Sequence, residues 1–246
     1  MLRSVDSLIG YRLLAIDGDL GKIRDLYFDD RAWGVRYFMV DTGGWLTGRR
    51  VLISPVDADA PDRITATLPV RLSKKQVEGS PAATEDRPVS RQFEAELSSY
   101  YGWPPYWSPS PAGVPAQTGV PAMDQAIKKA KEDEDNDPHL RSAREVVGYH
   151  IQAVDDEAGH VEDMVVDIGS WSVRYVVVDT RNWLPGRKVL VAPNWIDSVS
   201  WKDRKVRVDL TREEIKGSPE FNPEEPVNRQ YETRLYDYYG RPAYWG

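Results

Sequence analysis

Residues 35–55, VRYFMVDTGGWLTGRRVLISP, are written a second time at 173–193 as VRYVVVDTRNWLPGRKVLVAP. The likeness extends well beyond that stretch. Residues 2–108 align with 140–246 at a constant offset of 138 without a gap, and about 40% of the aligned positions are identical. Matches run the whole length, among them Gly10 and Gly148, Asp25 and Asp163, Trp33 and Trp171, Gly79 and Gly217, Trp107 and Trp245. Solenoid repeats have periods of roughly 20 to 50 residues, so a unit this long is a duplicated domain. The expected organisation is a first repeat at 1–108, a linker at 109–139 and a second repeat at 140–246.

The linker opens as SPSPAGVPAQTGVPA, too rich in Pro, Ala, Gly and Ser to build a core, so it is expected to run extended. A short helix is expected over Met123–Asp133, followed by the acidic run EDEDND, which reads as a solvated charge cluster. Asp133, Asp135 and Asp137 have the opening alternation of a calcium loop. Pro138 then stands where that loop needs Gly, and Arg144 where a bidentate Glu must close it.

Within each repeat the first half reads as strands. Asp17–Gly21 and Asp155–Gly159 sit between β-rich runs and supply the residues a tight hairpin needs. The nearly continuous apolar run in VRYVVVD predicts a strand buried on both faces. Five or six short strands per repeat suit a small closed barrel. The second half turns helical. Ser73 with Gln76, and Thr211 with Glu214, fit capping boxes that open one short turn of helix. A longer helix follows, capped by Ser90 or Asn228 and ended by Gly102 or Gly240. Its apolar stripe is Phe93, Leu97 and Tyr101, matched by Tyr231, Leu235 and Tyr239. The fold class is therefore β-rich α+β, two tandem small barrels each with a short C-terminal helix packed on it.

Composition narrows the chemistry. A net charge of −7 argues against non-specific nucleic-acid binding. Without cysteine there is no disulfide, thiolate nucleophile or cysteine metal site, which fits a reducing compartment. No stretch approaches the roughly 18 to 20 apolar residues of a membrane span, and the N-terminus has too short an apolar run for a signal peptide. A cytoplasmic location is the expectation. His139, His150 and His160 lack ligand-like spacing, so no metal site is predicted. The first repeat has no histidine, and no phosphate-cradling glycine loop occurs. Asp25, Asp29, Asp41, Asp163, Asp167 and Asp179 fall at strand ends beside turns, where Asp ordinarily accepts backbone N–H bonds. No catalytic residue, cofactor or enzymatic activity is expected. The candidate partner-binding residues are Trp45, Arg49 and Arg50 and their counterparts Trp183, Arg187 and Lys188, each a Trp beside two cations. The alternative is a ring folded back on its own barrel with the cations solvating the rim.

The stretch AIDGDLGKIRDLYFDDRAWGVRYFMVD followed by RRVLISP, its second copy, and the downstream PVSRQFEAELSSYYGWPPYW together resemble the PRC-barrel family. That family includes the cytoplasmic domain of the photosynthetic reaction-centre H subunit and the C-terminal barrel of a ribosome maturation factor. In H subunits an Asp, a Glu and an Arg lie near the proton route to the secondary quinone. Asp29 and Arg36, and Asp167 and Arg174, match that Asp and Arg, while Ala32 and Ser170 replace the Glu. The resemblance implies a non-enzymatic protein-binding or scaffolding module, with an association with stress responses. It also implies two alternatives: a soluble accessory of a photosynthetic or other quinone-linked complex in peripheral contact with a membrane assembly, or an RNA-processing or ribosome-assembly accessory. The expected partner is a protein. Docking of the two repeats on each other, or homo-oligomerisation, is expected from their matched apolar faces.

Overall fold

The computed structural model describes residues 1–83, 89–107, 124, 127, 128, 140–180 and 187–245. Most of the linker, His139 and Trp183 lie outside the described residues, so the readings placed on them go no further. The described chain is β-rich and forms two compact units whose limits cut across the repeats. One gathers Met1–Gly10, Asp25–Arg36 and Arg141–Gly246; the other holds Tyr11–Arg24 and Tyr37–Leu140.

In the second of these units, β2 (Arg12–Ala15) pairs antiparallel with the start of β3 (Gly18–Asp29) and parallel with β6 (Thr67–Pro69). β4 (Gly34–Asp41) pairs with β5 (Arg50–Ile53). Two helices follow, α1 (Lys74–Glu78) and α2 (Arg91–Tyr101). Ile127, from the linker, is buried against Ala95 of α2 and Trp107.

The other unit is built on β9 (Glu157–Asp167) and β10 (Ser172–Asp179), an antiparallel pair. β8 (His150–Gln152) joins the far side of β9 and pairs parallel with β13 (Lys205–Val208), itself paired with β12 (Ile196–Ser200). β11 (Lys188–Val191) flanks β10. Val176, Val177 and Val178 of β10 are all buried, as a two-faced apolar run demands. α3 (Ala143–Val146) precedes β8, and α4 (Arg212–Gly217) and α5 (Arg229–Tyr239) follow β13.

Both capping boxes form: Ser73 with Gln76 on α1, and Thr211 with Glu214 on α4. Ser90 and Asn228 cap α2 and α5, and Gly102 and Gly240 end them in the left-handed region. The buried face of these longer helices is wider than the apolar stripe. It includes Glu94 and Glu232, 1% and 3% exposed. Glu232 accepts from the hydroxyls of Tyr175 and Tyr244, each 2.8 Å away, and pairs with Arg229 at 3.2 Å. Glu94 accepts from Tyr106 at 2.7 Å and pairs with Arg91 at 3.0 Å. A carboxylate supplied with these donors can be buried where an unpartnered one could not.

One glycine in each repeat is fixed by a close approach. A Cβ on Gly21 would lie 2.0 Å from the carbonyl oxygen of Asp41, and one on Gly159 2.2 Å from that of Asp179; both have φ near +120°. Gly159→Ala is expected to cost at least about 2 kcal/mol, the strain of a left-handed Ala plus a forced backbone shift. A urea midpoint unchanged from wild type would refute this.

The sheet around β9 also holds β1 (Leu2–Ser4), from the start of the chain. Leu2 pairs with Asp167, Arg3 with Val166 and Ser4 with Val165. The corresponding strand of the second repeat, β7 (Leu140–Ser142), pairs with β3. Each repeat thus supplies the other with its first strand.

Candidate functional site

The turn after β3 is held by its own aspartate. Asp29 accepts from the amides of Arg31 at 2.9 Å and Ala32 at 3.3 Å, and its other oxygen meets Arg36 at 3.3 Å. The turn ends on Trp33 in the left-handed region, as the equivalent turn ends on Trp171. Asp167 plays the same part there, accepting from Gly169 and Ser170 and lying 4.0 Å from Arg174. The amino group of Met1 also reaches it at 2.8 Å. Burial pushes the Asp167 carboxyl up, but the hydrogen bonds from Met1, Gly169 and Ser170 outweigh it and hold the group below its ordinary value. Asp29 and Arg36 thus form an ion pair, and Asp167 and Arg174 stand at the outer limit of one. Neither has a second carboxylate between its members, because Ala32 and Ser170 stand there.

The first turn and the β10 start face a groove of about 690 Å³ inside the unit that contains the second repeat. Arg31, Trp33, Arg174, Tyr236 and Tyr244 give it an aromatic and cationic lining, to which Asp197 adds a carboxylate. The Arg174 guanidinium lies 4.2 Å from the centre of the Tyr244 ring, whose hydroxyl is anchored on Glu232. Arg31 and Asn194 are exposed to solvent at its mouth. Of the candidate site residues that are described, Arg174 lines this groove, beside Ala32 and Trp33 of the first turn. The others come from segments far apart in the chain, and no one-dimensional signal links Arg31 to Tyr244.

The loop after β4 points its chemistry inward. Trp45 is half-buried on a 3-10 turn, Gly43–Leu46, and its indole N–H donates to the carbonyl of Leu20 at 2.9 Å. Lys74 lies over its ring at 4.5 Å. Arg49 donates to the carbonyls of Glu78, at 3.0 Å, and Ser80, so its charge sits at the C-terminal end of α1. Arg187 donates to Ser218 at the end of α4 in the same way. Arg50 lies in β5 near Asp41. A hydrogen bond from the Gly43 amide, helped by Arg24 and Arg50, holds the Asp41 carboxyl below its ordinary value.

Lys188 meets Glu162 at 2.5 Å. Glu162, His160 and Asp179 place ligand-type atoms within 4.8 Å of one another, a juxtaposition the sequence reading missed because it spans two strands. The Lys188 ammonium already pairs with Glu162 in this cluster. His150 pairs with Glu157 at 2.9 Å. Among the described residues no hydroxyl, imidazole and carboxylate come together as a nucleophile and its base.

What the strands, turns and caps define is a duplicated β-rich domain. The family model for the PRC-barrel domain matches residues 2–74 and again 138–215, so the chain belongs to the PRC-barrel family and carries the domain twice. No curated protein matches the chain in sequence. No helix among the described residues is long and apolar enough to cross a membrane.

Proposed function

We propose that each unit is a small PRC-type barrel closed by its C-terminal helix, and that the chain is a non-enzymatic module that binds a protein partner and scaffolds it. The groove beside Trp33 and Arg174 carries this reading. Its Trp, Tyr and Arg lining is the composition enriched at the centres of protein interfaces, and exposed Arg31 and Asp197 give it a polar rim. Its size also suits a single inserted side chain or short peptide. The reading rests on this groove rather than on the loop at 43–50, whose Trp45 and Arg49 are already bonded within their own unit.

A photo-crosslinking residue at Asn194, at the mouth of the groove, tests it in the full chain. The control position is Ile64, 96% exposed and in the other unit. A defined set of proteins should attach at 194 and not at 64, and Arg31→Glu should reduce the yield at 194 roughly tenfold, the loss of a contact worth about 1.4 kcal/mol. Equal labelling from both positions, or no effect of the Arg31 charge reversal, would remove the groove as the binding surface.

A further inference from the structure

The unit that holds the second repeat contains a joint whose central contacts recur 138 residues away. The Ser4 hydroxyl donates to Asp163 Oδ2, and the Ser142 hydroxyl to Asp25 Oδ2. The amide of Asp6 donates to Asp163 Oδ1 at 3.2 Å, and that of Arg144 to Asp25 Oδ1 at 3.2 Å. The amide of Val35 donates to the Trp171 carbonyl at 2.7 Å, and that of Val173 to the Trp33 carbonyl at 2.7 Å. Between those last two bonds Gly34 and Ser172 stand opposite each other. Val5 and Leu8 from one side, and Ala143 and Val146 from the other, bury the apolar part. This is the pattern of an isologous interface, where the same patch is used by both partners.

The donated strand is Leu-Arg-Ser in both repeats, and its acceptor is Asp25 in one and Asp163 in the other. A first repeat therefore meets the same partner surface whether the second repeat belongs to its own chain or to another. We propose that this joint also closes between two copies of the chain, each lending its Leu2–Leu8 segment and Trp33 turn to the second repeat of the other. The partner is a second copy because the surface asks for a strand with Leu, Arg and Ser in that register, followed by an apolar turn. Such an exchange swaps identical contacts and so costs little. The linker favours closure within one chain through an effective concentration in the millimolar range, so exchange sets in when chains fold at comparable concentration. An exchanged dimer would present two grooves of the kind described above, a bivalent scaffold. The joint itself does not depend on what the grooves bind.

The absence of cysteine makes the test clean. Gly34 and Ser172 form a non-hydrogen-bonded antiparallel pair, for which Cα atoms lie about 4.5 Å apart, within disulfide range. Gly34→Cys with Ser172→Cys in one chain should oxidise to a monomer with an internal bond, showing that the substitutions are tolerated. The two single variants, carrying different tags, are then unfolded, mixed at about 1 mM and refolded together. Peptide mass spectrometry should find the 34–172 inter-chain disulfide in roughly tenfold excess over 34–34 and 172–172 bonds, and none in mixtures refolded at micromolar concentration. A 34–172 bond only about twice as abundant as each like bond, the 1:2:1 ratio of random pairing, or no inter-chain 34–172 bond beside a successful internal one, would overturn the proposal.

Discussion

Replacing Asp25 and Asp163 together by Ala is expected to destabilise the unit they share by roughly 2–4 kcal/mol per site. Each carboxylate accepts from three donors. Asp25 takes the Ser142 hydroxyl and the amides of Arg144 and Leu26; Asp163 takes the Ser4 hydroxyl and the amides of Asp6 and Met164. Ala leaves all of them unpaired at a site where Asp25 is only 4% exposed. Urea unfolding of the full chain measures the loss. A double variant within 1 kcal/mol of wild type would show that water replaces these carboxylates without penalty, an order-of-magnitude threshold set by the usual value of one hydrogen bond.

The same pair sets a pH dependence. Burial pushes the Asp25 and Asp163 carboxyls above the ordinary value of 3.8, against the hydrogen bonds they accept. The native state then keeps a proton that the unfolded chain has released. Their contribution is therefore complete below the unfolded value and is lost as pH rises through the higher native one. Asn at both positions keeps an acceptor for the amides and removes the charge, so its stability should decline less across that window. A decline as steep as that of wild type would place its origin elsewhere.

The second large effect concerns an aromatic slot filled differently in the two units. In one, Trp103 stacks on Tyr101 at 4.1 Å and donates to Asp57 at 2.6 Å. The counterparts of Asp57, Tyr101 and Trp103 are Trp195, Tyr239 and Arg241. There the fully buried Trp195 fills the slot, 4.5 Å from Tyr239, with Arg241 beyond its ring at 5.9 Å. The indole has moved from the end of the helix to the 3-10 turn before β12, and the position it left carries a charge. Trp195→Ala is expected to cost about 3–5 kcal/mol, as emptying a buried aromatic site does. Trp195→Asp combined with Arg241→Trp rebuilds the arrangement of the other unit and should recover more than half of the loss shown by Trp195→Asp alone. Some deficit remains because Asp209 loses its 2.6 Å partner Arg241. A double variant no more stable than Trp195→Asp would mean that the two slots are not interchangeable.

Much of the fold was legible because its signals are local. The capping boxes at Ser73 and Thr211, the left-handed ends at Gly102 and Gly240, and the doubly buried strand at 172–179 each follow from residues within one turn or one strand. The candidate site was less legible. Trp45 and Arg49 look like an exposed pair when read as a loop, but their partners, Leu20 and Glu78, lie 25 and 29 residues away. Glu94 and Glu232 look like surface positions on amphipathic helices. Their burial depends on Tyr hydroxyls from outside the helix, added to an Arg three residues earlier on it. The groove draws its wall from β10, the Trp33 turn and the end of the chain, so only folding assembles it.

The sequence by itself determined the duplication, the types of the described elements and the PRC-barrel family, because each is written in spacing or in local pattern. Which repeat receives which first strand was decided only by the tertiary structure. Leu2–Ser4 and Leu140–Ser142 are the same three residues, and Asp163 and Asp25 the same acceptor, so a strand returned to its own repeat and one exchanged have equal local energies. Side-chain chemistry cannot choose between equal partners. The choice falls to how the rest of each unit, from the Trp33 and Trp171 turns to the buried Val5 and Val146, closes around the strand it is given.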